Sequence, residues 1–277
     1  MDLVIVDISY YIYRAHYASL SAGLTTPSGF PTGILKFLTT MMHDVRREFS
    51  CPIVLAFDGG GKNHRHELYP EYKANRKERP DEITKQMPIL INIMRAMGFA
   101  LIKKKGVEAD DLIGTLSIKA DALGMKTIIL TGDKDMGQFI TKNVTLFDSK
   151  SNKYTDRKAL KENIGIKPSQ VAQYLALCGD ASDNIPGVDG IGPKTASTLL
   201  SEYGSLKGIY QHLADLPKGQ RKKLEEQKDV LKLSLKLTKH KDIPIALDPS
   251  ELRLPSMDKV ALRRIFREFN LNFMWAK

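Results

Sequence analysis

Nine carboxylates define the chemistry open to this 277-residue chain. Three of them fall in Gly106-Val107-Glu108-Ala109-Asp110-Asp111-Leu112-Ile113, where an apolar run gives way to a helical pattern. Alone, Glu108, Asp110 and Asp111 read as a capped and solvated first turn, because a helix N-terminus tolerates negative charge. The other six are Asp7, Asp58, Asp133, Asp135, Asp180 and Asp183. For any one of these a surface or capping role is the simpler reading. For the set it is not, since Asp7, Asp58 and Asp133 each sit at the carboxyl end of an expected strand, where open parallel sheets place their sites.

An all-oxygen donor set without histidine or cysteine suits a hard ion such as Mg²⁺, with Mn²⁺ able to substitute. Carboxylates gathered about 4 Å apart repel by about 4 kcal/mol per pair at an effective dielectric near 20, so divalent cations are the natural compensation. Two such ions roughly 3.5–4 Å apart activate water and stabilise both oxygens of an in-line phosphoryl displacement.

The elements that must position these acids follow from periodicity. Leu3 to Val6, Pro52 to Phe57 and Thr127 to Leu130 read as short buried strands, with Phe99 to Ile102 and Val144 to Phe147 as further candidates. Helices are expected at Tyr10 to Tyr17, Ile34 to Phe49 and Leu112 to Leu123. Strands alternating with helices predict right-handed crossovers and a mostly parallel sheet. Between Lys62 and Arg79 the chain is rich in basic and aromatic residues. Pro70 suits a first helical turn, which would put Tyr72, Lys73 and Arg76 within one turn. Pro80 would end that helix, and Asp81 would cap another running to about Met97, with Pro88 a place for a kink.

Beyond about residue 155 helices dominate. Pro168 to Cys178 leads into Gly179-Asp180-Ala181-Ser182-Asp183-Asn184 and then Ile185-Pro186-Gly187-Val188-Asp189-Gly190-Ile191-Gly192-Pro193-Lys194-Thr195-Ala196. That spacing fits a helix-hairpin-helix, whose glycine turn offers backbone amides at a helix N-terminus to a phosphate. Residues 221 to 241 read as a lysine-rich helical face and Lys259 to Phe273 as an amphipathic tail. The division expected is residues 1–155 as an α/β body, with an arch over about 62–98, and residues 156–277 as a helical region with the hairpin near 180–200.

Net charge is +10, the footprint of a partner rich in phosphate. No apolar run approaches the roughly 18 residues of a membrane helix, and no export signal is expected ahead of Leu3. Two isolated cysteines argue against a disulfide framework or a zinc site, so a reducing, cytoplasmic compartment is expected. No heptad seam is present, so a monomer is expected.

Taken together, Ile5-Val6-Asp7, Ala56-Phe57-Asp58, Arg65-His66-Glu67, Tyr72-Lys73-Ala74-Asn75-Arg76, Gly106 to Asp111, Thr131 to Asp135 and Cys178 to Ala196 run in the order of a known family. The chain resembles the 5′ nucleases: the 5′-exonuclease domain of bacterial DNA polymerase I, its stand-alone bacterial and phage relatives, and flap endonucleases. The resemblance spans nearly the whole chain and does not separate an excised polymerase domain from a stand-alone enzyme. It implies a PIN-like α/β body with a helical arch and a helix-hairpin-helix, acting on DNA with 5′ ends, flaps or junctions and more weakly on RNA–DNA hybrids. Asp7, Asp58, Glu108 and Asp110 would hold one metal ion and Asp135, Asp180 and Asp183 a second, with Asp133 between them and Asp111 in the cluster. Lys73 and Arg76 would contact the scissile phosphate, Tyr72 would stack on the end base, and Arg14 would add a phosphate contact. The hairpin, through Gly187, Gly190, Gly192, Lys194 and Thr195, would grip the duplex backbone, with K⁺ as a further expected ion.

Three other readings compete. A PIN-type ribonuclease shares the acidic cleft but accounts for neither the Tyr72–Arg76 segment nor the hairpin. A junction-binding protein would carry the acids as an uncompensated electrostatic cost. A haloacid-dehalogenase-like phosphatase is suggested only by Asp133-Lys134-Asp135.

Overall fold

The computed structural model describes residues 1–254, 256–273 and 275. Its centre is a six-stranded sheet of β1 (Leu3–Asp7), β2 (Ile53–Phe57), β3 (Ala100–Lys103), β4 (Thr127–Leu130), β5 (Val144–Asp148) and β6 (Lys153–Thr155), in the order β3-β2-β1-β4-β5-β6. The first five strands are parallel and β6 pairs antiparallel with β5. The parallel sheet follows the expected strands; β6, three residues long and largely exposed, carries no periodic signal.

Helices α1 (Ile8–Ser19) and α2 (Gly33–Glu48) connect β1 to β2, α3 (His64–Leu68) and α4 (Asp81–Ala96) connect β2 to β3, and α5 (Ala109–Ala122) connects β3 to β4. After β6 come α6 (Arg157–Ile164), α7 (Val171–Cys178), α8 (Pro193–Tyr203), α9 (Leu206–Gln211), α10 (Lys218–Glu226), α11 (Lys228–Thr238) and α12 (Lys259–Glu268). Side chains alternate across a strand, and the core divides accordingly. Val4 and Val6 of β1 join the apolar faces of α1, α2, α4 and α12 on one side. Leu3 and Ile5 face the other side, with α5 and the helical region. All five β1 residues are buried, and each fully buried aliphatic side chain contributes about 1.5–3 kcal/mol. This two-sided burial anchors the strand that ends in Asp7.

The strand order reverses between β1 and β4, so the crevice where such sheets bind ligands opens beside Asp7 and Asp133. One expected element is absent. Residues 70–76 run as turns and a bend instead of continuing a helix. Lys73 takes a left-handed conformation (φ 59°) and its backbone N–H donates to the Asp183 carbonyl at 2.9 Å. Asn75 Nδ2 likewise donates to the Ala181 carbonyl at 2.5 Å. Bonds to a loop more than a hundred residues away replace helical ones, which a local pattern does not reveal. By contrast α4 runs unbroken through Pro88, and buried Ile83, Leu90, Ile93 and Met94 dock it on the body.

Gly59, just after β2, has no room for a side chain: a Cβ there would be driven into the Lys104 carbonyl and within 2.9 Å of the Val107 carbonyl. Its N–H donates to Val107 O at 2.8 Å, which joins the turn after Asp58 to the turn before Glu108. Gly59→Ala is expected to destabilise the protein by about 1–3 kcal/mol, the usual cost of overpacking. Urea unfolding monitored by circular dichroism checks this, and an unchanged midpoint would contradict it.

Candidate metal centre and nucleic-acid interface

Asp7 closes β1 and caps α1. Its carboxylate accepts from the Tyr10 N–H at 3.2 Å and the Thr131 hydroxyl at 2.9 Å, which ties the ends of β1 and β4 together. Asp58 follows β2 and accepts from Ser9 Oγ at 2.6 Å and from the Ala109 N–H at 2.9 Å. The N-terminus of α5 is therefore capped by Asp58. Glu108, its N-cap residue by position, makes no side-chain cap bond. The capping that the local pattern suggests thus comes from a residue 51 positions away, and Glu108 is left free to point elsewhere.

Asp133 caps the short 3₁₀ turn Lys134–Phe139 by accepting from the Asp135 N–H at 2.8 Å. Asp7, Asp58, Asp110 and Asp133 line a cleft of about 620 Å³ with Tyr10, Tyr13 and Arg14. Asp133, Asp135 and Asp180 line a neighbouring cleft of about 460 Å³ against α7. Asp133 belongs to both. Arg14 donates to Ser149 Oγ at 2.8 Å from the wall of the first cleft.

The basic residues sit on the acids. Lys73 Nζ pairs with Glu108 Oε1 and lies 3.5 Å from Asp183 Oδ2, while Arg76 pairs with Asp183 Oδ1. Both side chains also line the first cleft. Tyr72 departs from its expected role. It is 3% exposed, with its hydroxyl 3.1 Å from Glu108 Oε2 and 3.0 Å from Asp183 Oδ2. Lys73 Nζ lies 4.8 Å from the centre of its ring and His66 meets the ring edge-on. In this conformation no open face is left for a base to stack on, because the hydroxyl's bonds to two carboxylates draw the ring inward.

Asp111 also departs from the set. It is 1% exposed and is held by both terminal nitrogens of Arg65 at 2.8 Å and by the Lys241 N–H at 2.9 Å, behind the cleft walls. With both oxygens taken in this way it faces Arg65 and not the shared clefts. Arg65, Ser9 and Thr131 are supporting residues to which the sequence assigned no role, although Arg65 and Thr131 fall within the matching motifs; their carboxylate partners lie 43 to 124 positions away, so no local spacing reveals the contacts.

The hairpin joins α7 to α8. Gly187 packs so closely on the backbone of Cys178 and Gly179 that a Cβ would clash, and Gly190 adopts φ +78° with open space around it. Gly192 caps α8, Pro193 takes its first turn, and Lys194 is exposed beside half-buried Thr195. Free amides and a cation at a helix N-terminus form a surface suited to phosphate.

The electrostatics of the acids divide in two. Burial, reinforced by Asp58, pushes the Asp7 carboxyl up to about 7. Burial and the neighbouring Asp133 raise Asp135 to about 8. Asp110 and Asp133 are also raised, chiefly by burial. Burial acts on Asp183 and Asp111 in the same direction but is outweighed, by Lys73 and Arg76 in one and by Arg65 in the other, so both lie below the usual carboxylate range. Among the described residues the acids do not form a preformed group of three or more metal donors. The chemistry of the donors nevertheless fits hard divalent cations: oxygen only, lining shared clefts, and short of positive charge at Asp7, Asp110, Asp133 and Asp135.

For Asp7 and Asp135 the folded pKa values lie above the unfolded value near 4. The folded state therefore binds more protons, and the stability they contribute is complete below about pH 4 and lost as pH rises through about 7 to 8. Metal-free protein is expected to be less stable at pH 8.5 than at pH 6, and added Mg²⁺ is expected to reverse the loss. Denaturant melts in chelator and in Mg²⁺ check this; a flat profile would contradict it.

The family model for the 5′-3′ exonuclease N-terminal resolvase-like domain matches residues 2–165, and that for the 5′-3′ exonuclease C-terminal SAM fold matches residues 166–260. The chain belongs to the 5′-3′ exonuclease family. It is 34% identical over 271 residues to a 5′-3′ exonuclease of Aquifex aeolicus, covering 97% of this chain and 92% of that protein. It is 38% identical over 276 residues to DNA polymerase I of Pseudomonas aeruginosa, covering 96% of this chain but 30% of that protein. The chain thus spans about a third of the polymerases it matches. Among solved structures, T5 5′-exonuclease with bound zinc shares the fold at a TM-score of 0.72 and 23% identity, over 86% of this chain and 89% of that one. The catalytic core of Rad2 in complex with a DNA substrate does so at 0.64 and 18%, over 98% and 88%.

Proposed function

We propose that the chain is a divalent-metal-dependent, structure-selective 5′ nuclease that hydrolyses DNA phosphodiesters near 5′ ends, flaps and single-strand/duplex junctions, in replication and repair. The observation that carries this reading is the pair of acid-lined clefts sharing Asp133, with Lys73 and Arg76 among the residues that line the first. The metal-bound T5 exonuclease and the DNA-bound Rad2 core, which share its fold, support it. Mg²⁺ is the proposed ion, with Mn²⁺ as a substitute. Asp7, Asp58, Glu108 and Asp110 would hold one ion and Asp135, Asp180 and Asp183 another, with Asp133 contributing between them. When bound, such ions activate water and offset the charge of an in-line displacement.

The chain's own residues do the rest. Lys73 and Arg76 pair with the acids, and both side chains line the cleft that would receive the phosphodiester. Transferred from carboxylate to phosphate, they stabilise the charge that develops there. Arg14, which lines the same cleft, orients the strand. The hairpin through Gly187, Gly190, Gly192, Lys194 and Thr195 holds the duplex backbone, with K⁺ proposed there on the resemblance. Residues 1–155 carry most of the catalytic groups, and residues 156–277 add Asp180 and Asp183 and hold the duplex. RNA–DNA hybrids are proposed as weaker substrates. The protein is proposed to act as a monomer in the cytoplasm, where its free cysteines Cys51 and Cys178 remain reduced. Among the described residues no helix is long and apolar enough to cross a membrane.

A 5′-flap duplex labelled at either end is expected to be cut near the junction with Mg²⁺ and left intact with chelator. Asp133→Asn preserves an acceptor for the Asp135 N–H but removes the charge; it is expected to lower the single-turnover rate by at least about 10²-fold with duplex binding retained. Binding without cleavage by the unaltered protein under any divalent ion would overturn the proposal. Lys73→Ala is expected to slow the chemical step by about 10²-fold while changing DNA affinity little, and single-turnover kinetics beside equilibrium binding separate the two effects.

A further inference from the structure

We infer that Arg65 is a positioning residue that holds Glu108 against Lys73 beside the cleft; the inference rests on the proposed role of Glu108 as a metal ligand. Arg65 is 5% exposed, and its guanidinium uses all five N–H donors. Nε donates to the Leu237 carbonyl at 2.8 Å. Nη1 donates to Glu108 Oε2 at 2.7 Å and Asp111 Oδ2 at 2.8 Å. Nη2 donates to Asp111 Oδ1 at 2.8 Å and the Lys239 carbonyl at 3.2 Å. One side chain on α3 thereby joins the first turn of α5 to the last carbonyls of α11, which lack helical partners.

The two carboxylates are held differently. Asp111 gives both oxygens to Arg65 and ends there. Glu108 gives Arg65 only Oε2, and Oε1 faces Lys73 at the cleft. Because Asp58 caps α5 in place of Glu108, no capping bond fixes the Glu108 rotamer; Arg65 and the Tyr72 hydroxyl hold Oε2 while Lys73 pairs with Oε1, and Arg65 is the most buried of the cations on it. Arg65 is itself located by the Asn63 cap of α3, which accepts from the Arg65 N–H at 2.9 Å. A guanidinium touching a metal ligand also has a cost, since its charge repels a dication. Electrostatics alone therefore predicts that removing or loosening this cation tightens metal binding. Positioning predicts the opposite sign, because partners outside the ligand shell are worth about 10–100-fold in metal affinity when lost.

The test is Mn²⁺ affinity of the metal-stripped full chain, read from the free-ion signal in electron paramagnetic resonance, with thermal melts alongside. Arg65→Lys keeps the charge but loses the fork, and is expected to weaken Mn²⁺ binding by about 10–100-fold, as is Glu108→Gln. Asp111→Asn leaves the Arg65–Glu108 bond in place; it is expected to lower the melting temperature yet keep affinity within about threefold, far short of the loss expected when that bond is broken. Unchanged or tighter binding in Arg65→Lys, with weakened binding in Glu108→Gln, would overturn the positioning role alone. Unchanged binding in Glu108→Gln would overturn the ligand assignment and the inference with it. A second measurement needs no variant to fold: in the unaltered protein the Arg65 Nε–H resonance is expected to exchange slowly and to shift on Mg²⁺ addition. A resonance indifferent to Mg²⁺ would count against the coupling.

Discussion

Like charges brought together at the end of a sheet repel one another, and much of this molecule is arranged around that repulsion. Asp7, Asp110, Asp133 and Asp135 are crowded and partly desolvated, so their carboxyls hold protons above the usual range. Glu108, Asp111 and Asp183 are instead matched by Arg65, Lys73 and Arg76. The chain thus neutralises one flank of its acidic cleft with its own cations and leaves the other flank to be neutralised from outside. That division suits a site in which divalent ions and a polyanion must both be admitted, because the cations nearest the cleft can transfer from carboxylate to phosphate.

The scaffold makes such crowding tolerable by fixing the backbone independently of the acids. β1 is buried on both faces by two separate apolar clusters, so the position of Asp7 is set by hydrophobic burial that the charge repulsion cannot overcome. Neutral hydroxyls and amides then orient the carboxylates: Thr131 and the Tyr10 amide hold Asp7, and Ser9 and the Ala109 amide hold Asp58. The segment carrying Tyr72, Lys73 and Arg76 is secured in a different way. It is fastened to the 179–184 loop by hydrogen bonds through Lys73, Asn75 and Asn184, with few buried apolar side chains of its own. Regions held by exposed polar contacts open at lower cost than cores, which matches a segment whose cations must change partners.

The acids and the alternation of strands and helices were legible in the sequence because both are local properties. A buried parallel strand is a short apolar run, and an acid at its end is the next residue; Asp7 and Asp58 need no more context than that. The hairpin was legible too, since Gly187, Gly190 and Gly192 answer to close backbone approach, positive φ and a helix start that glycine permits. What failed was the helix through Tyr72 and Arg76, where Pro70 and the residue spacing favoured helical bonds and the 179–184 loop supplied better ones. The stacking role of Tyr72, which came from the resemblance, does not fit the ring's buried position here.

By itself, then, the sequence determined the family, the parallel sheet and the oxygen-only character of the site, because residue type and period-two or period-three-to-four spacing carry that information. Only the tertiary structure decided which acids face the cleft and which are withdrawn from it. Asp110 and Asp111 are adjacent, yet one lines the cleft and the other is buried against Arg65, since successive residues of a helix point about 100° apart. The partners that settle their roles come from α3, the turn after β2 and the end of α11. Charge pairing over such distances is set by where the chain folds back, and no spacing along the chain encodes it.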